Sequence, residues 1–74
     1  MSDARKRFVR LAEARTNKVL KDISSLSNLS NRSNYSYTEE DIKKIFSAIN
    51  SEVKKAQSKF DSNLKSGTND EFKL

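Results

Sequence analysis

From residue 37 to residue 60 the chain reads YTEEDIKKIFSAINSEVKKAQSKF, with apolar side chains at Ile42, Phe46, Ile49, Val53, Ala56 and Phe60. Their spacing of four, three, four, three and four matches an α-helix with one apolar stripe. It predicts a helix over about 38–60, with an extension to Leu64 and an end near Gly67. Thr38 followed by Asp41 approximates a capping box, in which side chain and backbone satisfy each other's free N–H groups. Tyr37 before the cap and Ile42 at the fourth helical position form the pair of a hydrophobic staple. Glu39, Glu40 and Asp41 fall where the helix dipole favours negative charge, and Lys54, Lys55 and Lys59 fall towards the end that favours positive charge.

Upstream, about residues 4–26 read as a first helix. Ser2 or Asp3 can cap it, and Ala4, Arg10, Leu11, Ala12, Glu13, Ala14 and Arg15 are good helix formers. At 100° per residue, Phe8, Ala12, Val19, Ile23 and Leu26 share one face, with Leu11 and Leu20 at its margins. Arg15 falls at the edge of that face, where its stem can pack while the guanidinium reaches out. The opposite face is basic, with Arg7, Arg10 and Lys21, and more loosely Lys6 and Lys18. Only Glu13 lies near this strip to neutralise it. A solvated face accounts for such a run, and so does a contact strip for an anionic partner.

Between the helices, about residues 27–37 form a connection within a segment of biased composition. Residues 24–36, SSLSNLSNRSNYS, hold six Ser and three Asn. These side chains bond to nearby backbone and compete with helix. Asn tolerates the left-handed conformation that ends helices where Gly is missing, so Asn28 or Asn31 is the expected C-cap. A connection of about ten residues exceeds what a bare turn requires. It offers Asn28, Asn31, Arg32, Asn34 and Tyr35 as exposed hydrogen-bonding and stacking groups. Helix capping by Ser and Asn is the structural explanation for the same residues. After Phe60 the chain changes character, and residues 61–74, which contain Gly67, read as a flexible tail.

The fold class that follows is all-α. Two helices of roughly 22 residues, about 33 Å each, joined by a shorter connection, pack antiparallel. In that hairpin, over residues 1–60, Ile23 and Leu26 lie near Ile42, Val19 near Phe46 and Ala12 near Val53. Phe8 lies between Ala56 and Phe60. Ile45, Leu11 and Leu20 remain at the side for a second hairpin, so a homodimeric four-helix bundle is expected.

Composition sharpens this expectation. The chain has 74 residues, 34% hydrophobic and 34% charged, near the border between folded and disordered chains. So small a domain needs a staple or an association, and with no Cys and no His the staple is neither a disulfide nor a common metal site. The net charge of +5 is uneven. Residues 1–37 hold eight Lys/Arg against three acids, whereas residues 38–74 hold seven of each sign. No apolar run is long enough to span a membrane, and MSDARKRF passes straight into charge, unlike a secretory leader. A cytoplasmic protein is expected.

The segment LSNLSNRSNYSYTEEDIKKIFSAINSEVKKAQSKF, preceded by the basic helix RFVRLAEARTNKVLKDI, resembles a family of short bacterial proteins found in Firmicutes and on mobile elements. The resemblance covers most of residues 5–60. It implies a stand-alone small helical protein and supplies no activity, cofactor or site residue. The chain departs from the family's pattern in the extra serines of residues 24–27 and in its tail.

No Gly-rich phosphate loop, paired Cys or His-containing triad occurs. Glu39, Glu40 and Asp41 are accounted for by capping, and two helices scarcely provide a pocket, so no enzyme, cofactor, metal or small-molecule substrate is expected. The leading expectation is an interaction or regulatory protein. Its working surface would be the basic strip of Arg7, Arg10, Lys18 and Lys21 with the loop residues Asn28, Asn31, Arg32, Asn34 and Tyr35, docking on a protein, with an acidic surface as one form of partner. The alternative is a nucleic-acid binder using Arg5, Lys6, Arg7, Arg10, Lys18 and Lys21 on phosphate, although a long connection and two helices do not make a helix-turn-helix. Binding to a membrane surface ranks last, because the apolar face of the first helix is needed for the hairpin.

Overall fold

Local side-chain chemistry sets where the helices start. The structure is a computed structural model that describes residues 2–68. Among these the secondary structure is all helical, in the order α1 (Asp3–Ser27), a short 3-10 helix (Asn28–Ser30) and α2 (Glu39–Thr68). The chain divides into two units, Met1–Ser36 and Tyr37–Leu74.

In the first unit, Ser2 is the cap of α1. Its backbone is extended and its hydroxyl accepts the Arg5 N–H at 3.1 Å. Of the two expected caps it is therefore Ser2 that acts, while Asp3 supplies negative charge in the first turn. At the other end the expectation of a left-handed asparagine is corrected. Asn28 is the C-cap, but its φ of −66° and ψ of −17° are right-handed. The chain tightens into the 3-10 turn, a common way for a helix to use up its last carbonyls. Asn31 then leaves that turn in an extended conformation, with φ −69° and ψ 106°.

In the second unit, both capping-box bonds are present. The Thr38 N–H donates to Asp41 Oδ2 at 2.9 Å, and the Asp41 N–H donates to Thr38 Oγ1 at 3.1 Å. Asp thus serves in the position where Glu or Gln is usual. Tyr37 is half-buried, and Ile42 donates its N–H to the Thr38 carbonyl at 3.2 Å.

The far end of α2 follows the longer of the two readings, with an end near Gly67, and shortens the expected tail. The helix continues past Phe60 and past Leu64 to Thr68, so residues 61–68, read as the start of a tail, belong to it. Leu64 follows Phe60 by four residues and continues the apolar stripe. The Asn63 amide donates to the Lys59 carbonyl at 2.8 Å, bonding back along the helix instead of interrupting it. Gly67 costs helix stability without forcing a stop. The remainder of the expected tail, residues 69–74, lies outside the described residues.

No residue among those described is fully buried. In the first unit Val9, Leu11, Ala12 and Leu26 are half-buried, as is Ile49 in α2. The rest of the stripe on α2 is open, from Ile42 at 36% and Phe46 at 41% to Val53 at 47% and Phe60 at 59%.

Candidate functional site

The basic strip lies on α1, where helical spacing puts Arg7, Arg10, Lys18 and Lys21 on the face away from Phe8 and Ala12. All four are exposed. They are not equivalent. Lys18 Nζ lies 3.1 Å from Asp22 Oδ2, one turn along, so Asp22 as well as Glu13 tempers the strip. Both partners are largely open to water, at 76% and 65% exposure. Such a pair contributes only about 0.3–0.5 kcal/mol and opens readily when a better anion arrives. Among the described residues no ion pair engages Arg7, Arg10 or Lys21. Arg5 is directed elsewhere. Its guanidinium sits 5.8 Å from the centre of the Phe8 ring, near the outer limit for attraction between a cation and a ring face.

The loop follows α1 within the same unit, and Asn31 organises it. The Asn31 carbonyl accepts the N–H groups of Asn34 at 3.1 Å and Tyr35 at 3.0 Å. Its side-chain Oδ1 accepts the N–H of Ser33 at 2.9 Å. One residue therefore takes three backbone donors of the turn, which is how Asn replaces a glycine-based turn. The Ser27 hydroxyl closes the preceding step by donating to the Ser24 carbonyl at 2.6 Å. Of the candidate partner-binding residues, Asn31 thus has its side-chain oxygen occupied within the loop. Asn28, Arg32, Asn34 and Tyr35 are exposed around it, Tyr35 at 48%. The structure brings the strip and the loop into one unit, with the turn held by its own backbone.

A shallow hollow on α2 was not among the expected sites. Ser47, Asn50, Ser51, Lys54, Lys55 and Ser58 line it. They follow one another at helical spacing on the side away from Ile42 and Val53, and small serines between lysines make the depression. Lys55 lies 3.8 Å from Glu52. The signal that could have found this face is the run of small polar residues between the apolar ones. No described helix is long and apolar enough to cross a membrane.

The chemistry of the exposed groups is that of recognition. Guanidinium and ammonium groups attract anions, the Asn amides donate and accept, and the Tyr35 ring offers a stacking surface with a polar tip. Comparison of the chain with known protein families, with curated proteins and with solved structures finds no match to any of them.

Proposed function

We propose that the protein is a non-enzymatic interaction module: an antiparallel helical hairpin that doubles into a dimeric four-helix bundle and docks on an acidic surface of a larger protein. The docking surface is the basic face of α1, with Arg7, Arg10 and Lys21 as its open cations and Lys18 available by release from Asp22. The loop residues Asn28, Arg32, Asn34 and Tyr35 add hydrogen bonding and stacking. The observation that carries this reading is the pairing of extended apolar stripes with the lack of any fully buried described residue. Such stripes are stabilised by being covered, by the other helix of the hairpin and then by a second hairpin. The resemblance to short helical bacterial proteins is compatible with this reading.

The protein partner is favoured over nucleic acid by the charge pattern. Glu13 and Asp22 stand on the same helix as the strip, and Asp22 holds Lys18 at 3.1 Å. Strong phosphate binding draws on many uncompensated cations at once.

The test is a comparison of the wild-type chain with the triple variant Arg7→Glu, Arg10→Glu, Lys21→Glu as baits in extracts of the source cells, at low and high salt and after nuclease treatment. Retention of a discrete protein by the wild type, lost in the triple variant, is the expected result. If the wild type retains no protein above background at either salt, the reading fails. Retention abolished by nuclease would move the assignment to nucleic acid.

A further inference from the structure

The connection between the helices holds a repeat that its turn chemistry does not require. Residues 28–36 read NLSNRSNYS, the triplet Asn-x-Ser three times over with no residue between. Asn28, Asn31 and Asn34 each have a serine two places on, at Ser30, Ser33 and Ser36. Asn17, Asn50, Asn63 and Asn69 have neither Ser nor Thr there. Asn-x-Ser, with x other than Pro, is the acceptor triplet for sugar on the side-chain amide, and Leu29, Arg32 and Tyr35 meet that condition. We infer that the loop is a tandem N-glycosylation site, with Asn28, Asn31 and Asn34 accepting sugar from a glycosyl diphosphate donor.

All nine residues of the repeat are exposed, and they close the first unit at Ser36. No acceptor belongs to either apolar stripe. Turn formation alone leaves the repeat unexplained. Asn31 by itself takes the N–H groups of Ser33, Asn34 and Tyr35, and one asparagine suffices for such a turn. The serine that bonds back at the end of α1 is Ser27, outside the triplets. Three copies of an amide and a hydroxyl at fixed spacing suit an enzyme that reads the two groups together.

The central triplet has the geometry the chemistry needs. Asn31 Oδ1 accepts the Ser33 N–H at 2.9 Å, which folds the triplet back on itself and brings Ser33 beside the amide. The bond engages the oxygen and not Nδ2. A hydrogen bond into the amide oxygen polarises the amide, so a proton on Nδ2 is lost more readily. In the transfer, Nδ2 bonds to the anomeric carbon of the sugar as the bond from that carbon to the diphosphate breaks. The diphosphate leaves with the electron pair, and the amide gives one proton to a base of the transferase. The Asn28 triplet, by contrast, is wound into the 3-10 turn Asn28–Ser30, and a transferase has to unwind it first. Occupancy should therefore be higher at Asn31 and Asn34 than at Asn28.

Sugars at Asn31 and Asn34 would stand on either side of Arg32 and next to Tyr35 in the chain. Bulky and hydrated, they screen these two side chains from a protein partner while Arg7, Arg10 and Lys21 stay unmodified. The loop then tunes docking through the basic face of α1, and its modification does not depend on that docking.

The test takes the full chain from its source cells through intact-mass measurement and peptide mapping, with a fragmentation that keeps side-chain sugars attached. Cleavage after Arg32 separates Asn34 from Asn28 and Asn31. The expected result is a mass excess made of whole sugar residues, carried by Asn31 and Asn34. Asn31→Gln and Ser33→Ala should each remove the sugar at Asn31, and Ser33→Thr should keep it. Circular dichroism of each variant shows that the helices are retained. One sugar residue per site identifies a nucleotide-linked donor, and an oligosaccharide transferred whole identifies a lipid-linked one. An unmodified mass for the chain from its own cells would overturn the assignment. Sugar that survives the combined Asn28→Gln, Asn31→Gln and Asn34→Gln variant would overturn it too, by placing the attachment on a hydroxyl. Neither outcome bears on the docking reading, because the α1 triple variant keeps all three triplets.

Discussion

At Thr38 a hydroxyl and a backbone N–H meet the carboxylate and N–H of Asp41, and the first turn of α2 depends on that exchange. Removing the hydroxyl in Thr38→Ala leaves the Asp41 N–H without its protein partner. The expected cost is about 1 kcal/mol, seen as faster amide exchange through residues 39–42. Unchanged protection there would show that the acidic first turn starts the helix unaided. This boundary was legible in the sequence because capping is short-range chemistry, involving groups three residues apart. Asn28 and Asn31 were legible as the places where α1 gives way to the loop. Their backbone was not, because the choice between a left-handed stop and a 3-10 turn depends on which nearby donors find acceptors. The Asn28 N–H turns back to the Ser25 and Leu26 carbonyls, and three N–H groups beyond the 3-10 turn reach Asn31.

Among the elements, α2 shows what periodicity does and does not convey. Its stripe predicted the helix from Thr38 onward. Its end near Gly67 is legible in that residue, whereas residues 61–68 count as tail only if the apolar period is taken to stop at Phe60, although Leu64 keeps it. With Gly67 inside a helix that runs to Thr68, Gly67→Ala removes a residue that costs up to about 1 kcal/mol relative to alanine at a helical position. Protection of the last turn should therefore rise. Were Gly67 a left-handed stop, the same substitution would lower it, so the sign of the change separates the two. On α1 the basic strip was legible by spacing, whereas the Lys18–Asp22 pair joins the strip to an acid outside it, one turn along the same helix.

For the whole molecule, the stability of the proposed dimer is tied to concentration. Two chains unfold from one folded pair, so each tenfold dilution removes about 1.4 kcal/mol of apparent stability. The midpoint of thermal unfolding should fall steadily as the protein is diluted from 100 to about 1 μM. A midpoint independent of concentration would assign the helices to a folded monomer. Association could not be read from the pattern alone, since the same stripe serves a partner helix of the same chain, a second copy or a foreign protein.

The open stripe of α2, from Ile42 at 36% to Phe60 at 59% exposure, also bears on how long a copy survives. A helix with uncovered apolar residues frays and presents the backbone that proteases cleave, at a rate set by the population of open chains. Paired chains are withdrawn from that population, and single ones are not. Lifetime then follows abundance: a surplus copy made without a mate is cleared, and a small drop in synthesis is amplified into a larger drop in working protein.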